Sequence, residues 1–529
     1  MDRVFLDSIT RHSLLTVVVA LPVAYAAYLG VSRLYFHPLS RVPGPLLASL
    51  TDYYVTYYDI AKDGQMVHQL GRLHARYGPI VRIGPNKLHF ADPKAFDLIY
   101  RDVRLPKEPW FYDAFNVPLS LFAICDIPKA KEAASVLRPL FSRKNILQVE
   151  GVIQDVISHF LQVLSQRSKS SPRTNLHRGF ASITMEVITT YSFAKSYGVV
   201  AYPSFSHPGL VGFQNSNFII FVMRHFPLLR SVFFAMPLWL AGWFVPGIYG
   251  RRQFIQALDE QIAGILEDPT VLEKEEHEIV NHHLLNPKVG RKPGRRELIR
   301  ASDITTANAC IVAAFNVLKN PEIEVRLRKE LMETWPEVET QLSLERLEKL
   351  PYLTAVIKEA LRLSHGVVSP LPRVTIVSMG QSFMHYNPEI FPNPKEFRPE
   401  RWLAKGSSDL ENYLVPFNKG PRMCTGMNLA WAELYLIIGN MFRKVDMELA
   451  GTVNSVIANA TMIIVAVILY ELESPEGPIS DAKQWLQPVF ASVLSHFRTL
   501  PAPSSHPSSY WPLFSGLART DSSQIDSTT

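Results

Sequence analysis

Between Phe417 and Leu434 the chain reads FNKGPRMCTGMNLAWAEL, with one cysteine, Cys424, between two glycines and an arginine, Arg422, two residues before it. An apolar pattern of helical period follows. A lone thiol on a tight turn, at the mouth of a helix and beside a cation, is either a packed residue or a ligand. Two more charged groups sit upstream. The periodicity of LEKLPYLTAVIKEALRLS predicts a helix over Leu353 to Leu363, which puts Glu359 and Arg362 three apart on one face. On a solvated surface such a pair is worth little. The proline-punctuated NPEIFPNPKEFRPERW ends in Glu400, Arg401 and Trp402. Earlier still, ASDITTANAC carries Asp303 and Thr305. Cys125, Cys310 and Cys424 are the chain's three cysteines and form no CxxC pair, so a disulfide framework and a cysteine-rich zinc site are excluded. His282 and His283 lack an HExxH context.

The elements that must position these residues begin behind an apolar leader. No charged residue lies between Ser13 and Ser32, and that run is long enough to span a bilayer as a helix. It predicts a transmembrane signal anchor over 13–32 after a short flank, 1–12. Pro38, Pro43 and Pro45 make 33–48 a stiff hinge. Arg33 and Arg41 follow the span while the charges before it balance, which favours a cytosolic body in a single-pass arrangement. The main domain is read over 49–450. In it, YGPIVRIGPNKLHFADP predicts a short hairpin, and the chain from Lys94 to about Leu285 is mostly helical. Phe218 to Gly247 is rich in large apolar side chains, as buried core or as a substrate or membrane-dipping wall. The basic stretch Pro287 to Glu297 reads as a solvated loop. A net charge of +6 among 54 basic and 48 acidic residues is too slight an excess to argue for nucleic acid; it suits a membrane surface or an acidic partner. The tail, 451–529, opens with an uncharged segment, 451–470, and continues rich in proline and serine.

Together the three charged segments resemble those of the cytochrome P450 family. Phe417, Gly420, Arg422, Cys424 and Gly426 fill its F-x-x-G-x-R-x-C-x-G signature, Glu359 and Arg362 its E-x-x-R, and Pro399 to Trp402 its P-E-R-W. The style of YFHPLSRVPGP and YGPIVRIGPN resembles the trichodiene-oxygenase-like enzymes of ascomycete secondary metabolism. The resemblance implies a mainly α fold with small β-sheets, one large domain behind an N-terminal membrane anchor. It also implies heme b with Cys424 as axial ligand of the iron, because a thiolate donates electron density that a histidine supplies less well. Phe417 would pack near the sulfur, and Gly420 and Gly426 would let backbone approach the porphyrin. Arg422 and Arg373 resemble the arginines that pair with haem propionates. Glu359, Arg362 and Arg401 would form the family's structural triad. The expected activity is insertion of one oxygen atom from O2 into a hydrophobic small molecule, a terpenoid or polyketide. Electrons would come from NADPH through a membrane NADPH–cytochrome P450 reductase, docked near Lys419, Arg422, Arg443 and Lys444, at the endoplasmic reticulum.

The chain also departs from the family's pattern. In the motif A/G-G-x-D/E-T-T, Thr305 takes the catalytic threonine place, but Ile304 stands where the acid belongs. Asp303 lies one position early, about 100° around a helix. An ordinary helix start capped by Ser302 or Asp303 is the competing reading. The hairpin expected after Arg373 is missing, and Lys129 and Lys131 are the available cations where the family offers a further propionate partner. The segment 451–470 reads as a second span or as foreign sequence. These departures motivate two alternatives: a haem-binding but catalytically impaired relative, and a non-enzymatic membrane protein. A cysteine hydrolase would need a base near Cys424, and His365 is the nearest histidine in a structured helix.

Overall fold

Alternation in the Tyr77–Pro93 segment folds as the hairpin it predicts. Strand β1 (Ile80–Gly84) runs antiparallel to β2 (Lys87–Phe90), with Ile80 opposite Phe90 and Arg82 opposite Leu88. A two-residue strand, β3 (Val377–Ser378), joins β2 in parallel. The computed structural model describes residue 18 and residues 20–449, apart from 63, 103, 116, 118–119, 170–172, 246, 275–281, 283–305, 367–368 and 375. Asp303, Thr305 and the apolar segment 451–470 therefore lie outside the described residues, as do the expected flank 1–12 and residues 13–17 of the expected anchor. Residues 20–31 are helical, and among the described residues no helix is long and apolar enough to cross a membrane.

The rest is helical, and the longer helices are labelled here in chain order. They are α1 (Met66–Tyr77), α2 (Pro93–Tyr100), α3 (Ile127–Leu137), α4 (Glu150–Ser168), α5 (Leu176–Phe193), α6 (Pro208–His225), α7 (Pro227–Ala235), α8 (Ile248–Glu267), α9 (Ala307–Lys319), α10 (Pro321–Thr334), α11 (Pro351–Ser364) and α12 (Met427–Lys444). Burial sorts them. In α5, α9 and α12 most side chains are buried, as in a helix at the centre of a bundle. In α10 only Ile323, Leu327 and Leu331 are buried, one stripe at four-residue spacing on an outer helix. Accordingly α9 packs against α5, α10, α11 and α12. Local signals set the starts: Asp92 caps α2 and Asp126 caps α3, each with proline in the first turn.

Two buried polar knots tie distant parts together. Asp59 accepts from Arg224 and from His225 Nε2 (2.9 Å), and His225 Nδ1 meets Thr56 Oγ1 at 3.0 Å, joining the end of α6 to the amino-terminal region. Glu186 of α5 accepts the backbone N–H groups of Tyr197 (3.1 Å) and Gly198 (3.3 Å), which fixes the turn beyond that helix.

Candidate active site

The cysteine turn is closed by its own backbone. Cys424 N–H donates to Phe417 O at 2.9 Å and Met423 N–H to Gly420 O at 3.1 Å. The helix α12 starts at Met427, with Gly426 as its N-cap. Cys424 is exposed and in no disulfide. Phe417 is half-buried, its ring 6.2 Å from that of Trp431. Arg138 Nη2 donates to Pro421 O at 2.9 Å and holds the turn against the end of α3. The two glycines differ in purpose. Gly420 has φ +77°, and a Cβ there would come within 2.4 Å of Tyr100 O, so it serves close packing on the end of α2. Gly426 has φ −80° and nothing within 4 Å of a built Cβ, so open space lies beside it. Of the two glycines expected to let backbone approach a porphyrin, Gly420 is packed on Tyr100 and Gly426 is the one with open space beside it.

Three cations gather close to this turn. The backbone of Lys107 pairs with that of Arg373 in an antiparallel bridge, flanked by Val374 N–H to Pro106 O (2.9 Å) and Glu108 N–H to Pro372 O (3.3 Å). Lys107 and Arg373 are buried and Arg422 is half-buried. The Arg373 guanidinium donates to Tyr112 Oη at 3.4 Å and lies over the Tyr100 ring at 5.1 Å. Arg422 donates to the carbonyls of Ile124 and Leu121. Lys107 donates to Phe122 O and sits 4.7 Å from the Tyr112 ring centroid. None of the three has an ion-pair partner among the described residues, and Arg373 Nη2 and Arg422 Nη1 are buried without any hydrogen-bond partner. Burial, then the charges of Arg422 and Arg373, push the Lys107 ammonium well below the usual lysine range. Among the described residues no carboxylate meets this cluster.

The expected triad does come together. Both Glu359 and Arg362 are fully buried, with Arg362 Nη2 on Glu359 Oε1 at 2.7 Å and Nε on Oε2 at 3.0 Å. Arg401 Nε reaches the same Oε1 at 3.0 Å. Two partners were missed from the sequence: Trp402 Nε1 donates to Oε2 at 2.9 Å and Arg398 N–H to Oε1 at 3.0 Å. Arg362 also donates to His385 O (2.7 Å), Pro394 O (2.6 Å) and Glu396 O (3.1 Å). A buried charge pair whose remaining donors are all engaged is a clamp, here on the chain between α11 and the cysteine turn.

Other expectations fare differently. Asp303 and Thr305 lie outside the described residues, but Thr306 is described, and its hydroxyl hydrogen-bonds Glu433 of α12. Burial pushes the Glu433 carboxyl up to about 8. A lone acid inside the apolar LAWAEL was the signal for it. Lys129 and Lys131 are exposed, because Ala130 and Ala134 form the buried face of α3. Of the four cations expected to attract a reductase, Lys419 pairs with Asp97 (3.1 Å), Arg422 turns inward, Arg443 Nε donates to Trp335 O (2.7 Å), and Lys444 Nζ lies 4.7 Å from the Trp335 ring. His365 is buried with Nδ1 on Leu363 O at 3.0 Å and Nε2 without a hydrogen-bond partner among the described residues, so it makes no hydrogen bond to the thiol. Among the described residues no group of three or more His, Cys, Asp or Glu side chains could hold a metal ion.

Comparison with known proteins adds to this geometry. The family described as Cytochrome P450 matches residues 48–280 and 296–471. The chain is 34% identical over 455 residues to tryptophan 6-hydroxylase fscE of Fusarium equiseti, covering 80% of this chain and 89% of that protein. It is 32% identical over 462 residues to cytochrome P450 monooxygenase macH of Penicillium terrestre, with coverage of 81% and 90%. With N-acetyltryptophan 6-hydroxylase ivoC of Emericella nidulans it shares 30% over 477 residues, with coverage of 84% and 93%. In fold it is similar to a cytochrome P450 crystal structure with a TM-score of 0.57 at 18% identity, covering 71% of this chain and 87% of that one.

Proposed function

The chain belongs to the cytochrome P450 family, in company with fungal monooxygenases, and from that premise we propose that it carries haem on the Cys424 thiolate and oxygenates a hydrophobic small molecule. The observation behind this reading is an exposed cysteine at a helix mouth beside arginines that lack an anion. Haem b brings four ring nitrogens and two carboxylates. Arg373 Nη2 and Arg422 Nη1 are the donors a carboxylate accepts from, and the thiolate is the protein ligand such an iron takes, so the residues present fit the group. When bound, haem would supply the activation of O2 that, with two electrons and two protons, leaves one oxygen atom in the substrate and the other in water.

The protein's own part is positional and electrostatic. The N-terminus of α12 begins three residues after Cys424, and its N–H groups and dipole favour thiolate over thiol. Phe417 and Trp431 give apolar cover nearby. The Glu359, Arg362 and Arg401 clamp holds the chain that presents the turn. Proton supply is assigned to Thr305 and Asp303; Thr306, next in the chain, meets the Glu433 carboxyl, which burial keeps neutral.

Electrons are proposed to come from NADPH through a membrane reductase. Exposed Lys129, Lys131 and Lys144, on α3 and beyond, suit an acidic partner better than the four cations first expected. A membrane anchor over 13–32, with the body cytosolic at the endoplasmic reticulum, is supported by the exposure of Val18, Leu21, Val23, Tyr25, Tyr28 and Val31. Leu228 is 80% exposed and Trp239 60%, which suits a second contact with lipid. For the substrate, the names of two relatives add tryptophan derivatives to the terpenoid and polyketide classes. Soret shifts on adding each class to the protein separate them.

A reduced, CO-bound difference spectrum of membranes from cells expressing the full chain tests the central claim. A band near ~450 nm that disappears in Cys424→Ala is expected; a band near ~420 nm, or none, refutes thiolate ligation. A ~450 nm band with peroxide release and no product places the chain among impaired relatives.

A further inference from the structure

Resting on the haem reading above, we infer that Lys107 is a third residue holding the haem carboxylates, in the place expected of Lys129 or Lys131. The geometry that points there is the bridge between Lys107 and Arg373. Residues directly opposite across an antiparallel bridge carry their side chains on the same face, so the Lys107 ammonium is delivered to the side of the chain that Arg373 serves. Hydrogen bonds on both flanks of the bridge fix that delivery in the backbone.

The surroundings leave the ammonium short of partners. Lys107 is 5% exposed and Arg373 1% exposed, and neither meets a carboxylate among the described residues. An ammonium has three donors; the contacts of Lys107 are one carbonyl, that of Phe122, and the faces of Tyr112 and Phe122 at 4.7 and 4.9 Å. Buried charges are ordinarily paired, and three cations sharing one enclosure repel each other unless an anion enters. Two carboxylates set against Lys107, Arg373 and Arg422 leave a single excess positive charge. The helix α3 cannot supply the third cation, because its inward face is Ala130 and Ala134 while Lys129 and Lys131 lie in water. The aromatic rings of Tyr100 and Tyr112 contribute π-faces to Arg373 and Lys107, a setting that holds the cations in position before the anion arrives.

The test measures haem loss from the full-length holoprotein to excess apomyoglobin, for wild type, Lys107→Met and Lys107→Arg. Each is also reconstituted with haem dimethyl ester, in which both carboxylates are blocked. Lys107→Met is expected to keep the ~450 nm CO band, because the thiolate is untouched, yet to lose haem about tenfold or more faster, as losing a charge-assisted hydrogen bond implies. Lys107→Arg should restore slow loss. With the dimethyl ester, wild type and Lys107→Met should lose the cofactor at equal rates. Wild-type haem retention in Lys107→Met, or a difference of the same size with the ester, overturns the assignment, the latter by making Lys107 a packing residue. Failure of the Cys424 reading shows separately, as a missing ~450 nm band in wild type whose haem loss still depends on Lys107.

Discussion

The indole N–H of Trp402 donates to Glu359 Oε2 at 2.9 Å, the oxygen that also receives Arg362 Nε at 3.0 Å. One carboxylate thereby gathers a helix, a short turn of the PERW sequence and, through Arg362, three carbonyls of the intervening chain. Its two oxygens accept five hydrogen bonds in all, from Arg362, Arg401, Trp402 and the Arg398 backbone.

Removing that carboxylate should be severe. Glu359→Ala leaves the fully buried Arg362 without its counter-charge, a loss of about 3–5 kcal/mol in comparable buried pairs. Trp402→Phe removes one charge-assisted bond and keeps the ring, and should cost about 1.5–3 kcal/mol. Thermal unfolding of the two variants should rank them in that order; equal Tm values for Glu359→Ala and wild type would refute the clamp.

Cys424→Ser should fold as wild type does, because the N–H to Phe417 O bond that closes the turn is a backbone bond. It should lose the ~450 nm CO band while circular dichroism stays unchanged. A joint loss of secondary structure would mean that the thiol supports the fold itself.

The two glycines of the turn should separate on substitution. Gly420→Ala places a Cβ 2.4 Å from Tyr100 O at a φ of +77° and should cost more than about 1 kcal/mol of stability. Gly426→Ala meets nothing within 4 Å and should change stability by no more than about 0.5 kcal/mol. Its Cβ enters the space beside Cys424, so haem retention should fall instead. Melting curves of the haem-free proteins and haem transfer from the loaded ones check the two halves.

Glu433 makes stability depend on pH. Its folded carboxyl is raised from 4.5 to about 8 by burial, against a smaller opposing hydrogen bond from Thr306. The unfolded chain therefore loses this proton first as pH rises. The stabilisation is complete below about 4.5, declines from there to about 8, and is flat above. Buried His365, pushed down from 6.5 to about 4, works the other way, losing its contribution as pH falls through that interval. Glu433→Gln should raise Tm at pH 8 relative to wild type and flatten the alkaline limb; an unchanged limb would show that Glu433 ionises freely in the folded protein.

The parts of the site legible in the sequence are those written as short spacings. Glu359 and Arg362 share a helix face by period, and the glycines around Cys424 announce a turn at a helix start. Lys107 carried no such mark, because its partner Arg373 is brought to it by a backbone bridge between remote segments. Lys129 and Lys131 looked suitable by position, yet each lies about 100° around α3 from Ala130, and the alanines won the buried side because burying an alanine costs no charge. Gly420 was legible as a glycine but not for its reason, since the backbone of Tyr100 that crowds it belongs to another element. The hairpin and helix α11 were visible as patterns of period two and period 3.6.

The long reach of the cation cluster bears on how the protein is made. Tyr112 and Arg373, in contact, are 261 positions apart, and Arg422 comes later still. A ribosome has threaded out most of the chain before the last of these cations exists, and loop closure over such a span is slow. Cofactor capture is therefore tied to the end of synthesis. Nascent chains stalled before Arg373 should take up no haem, whereas chains released beyond α12 should; haem bound to the shorter arrested chains would contradict that order.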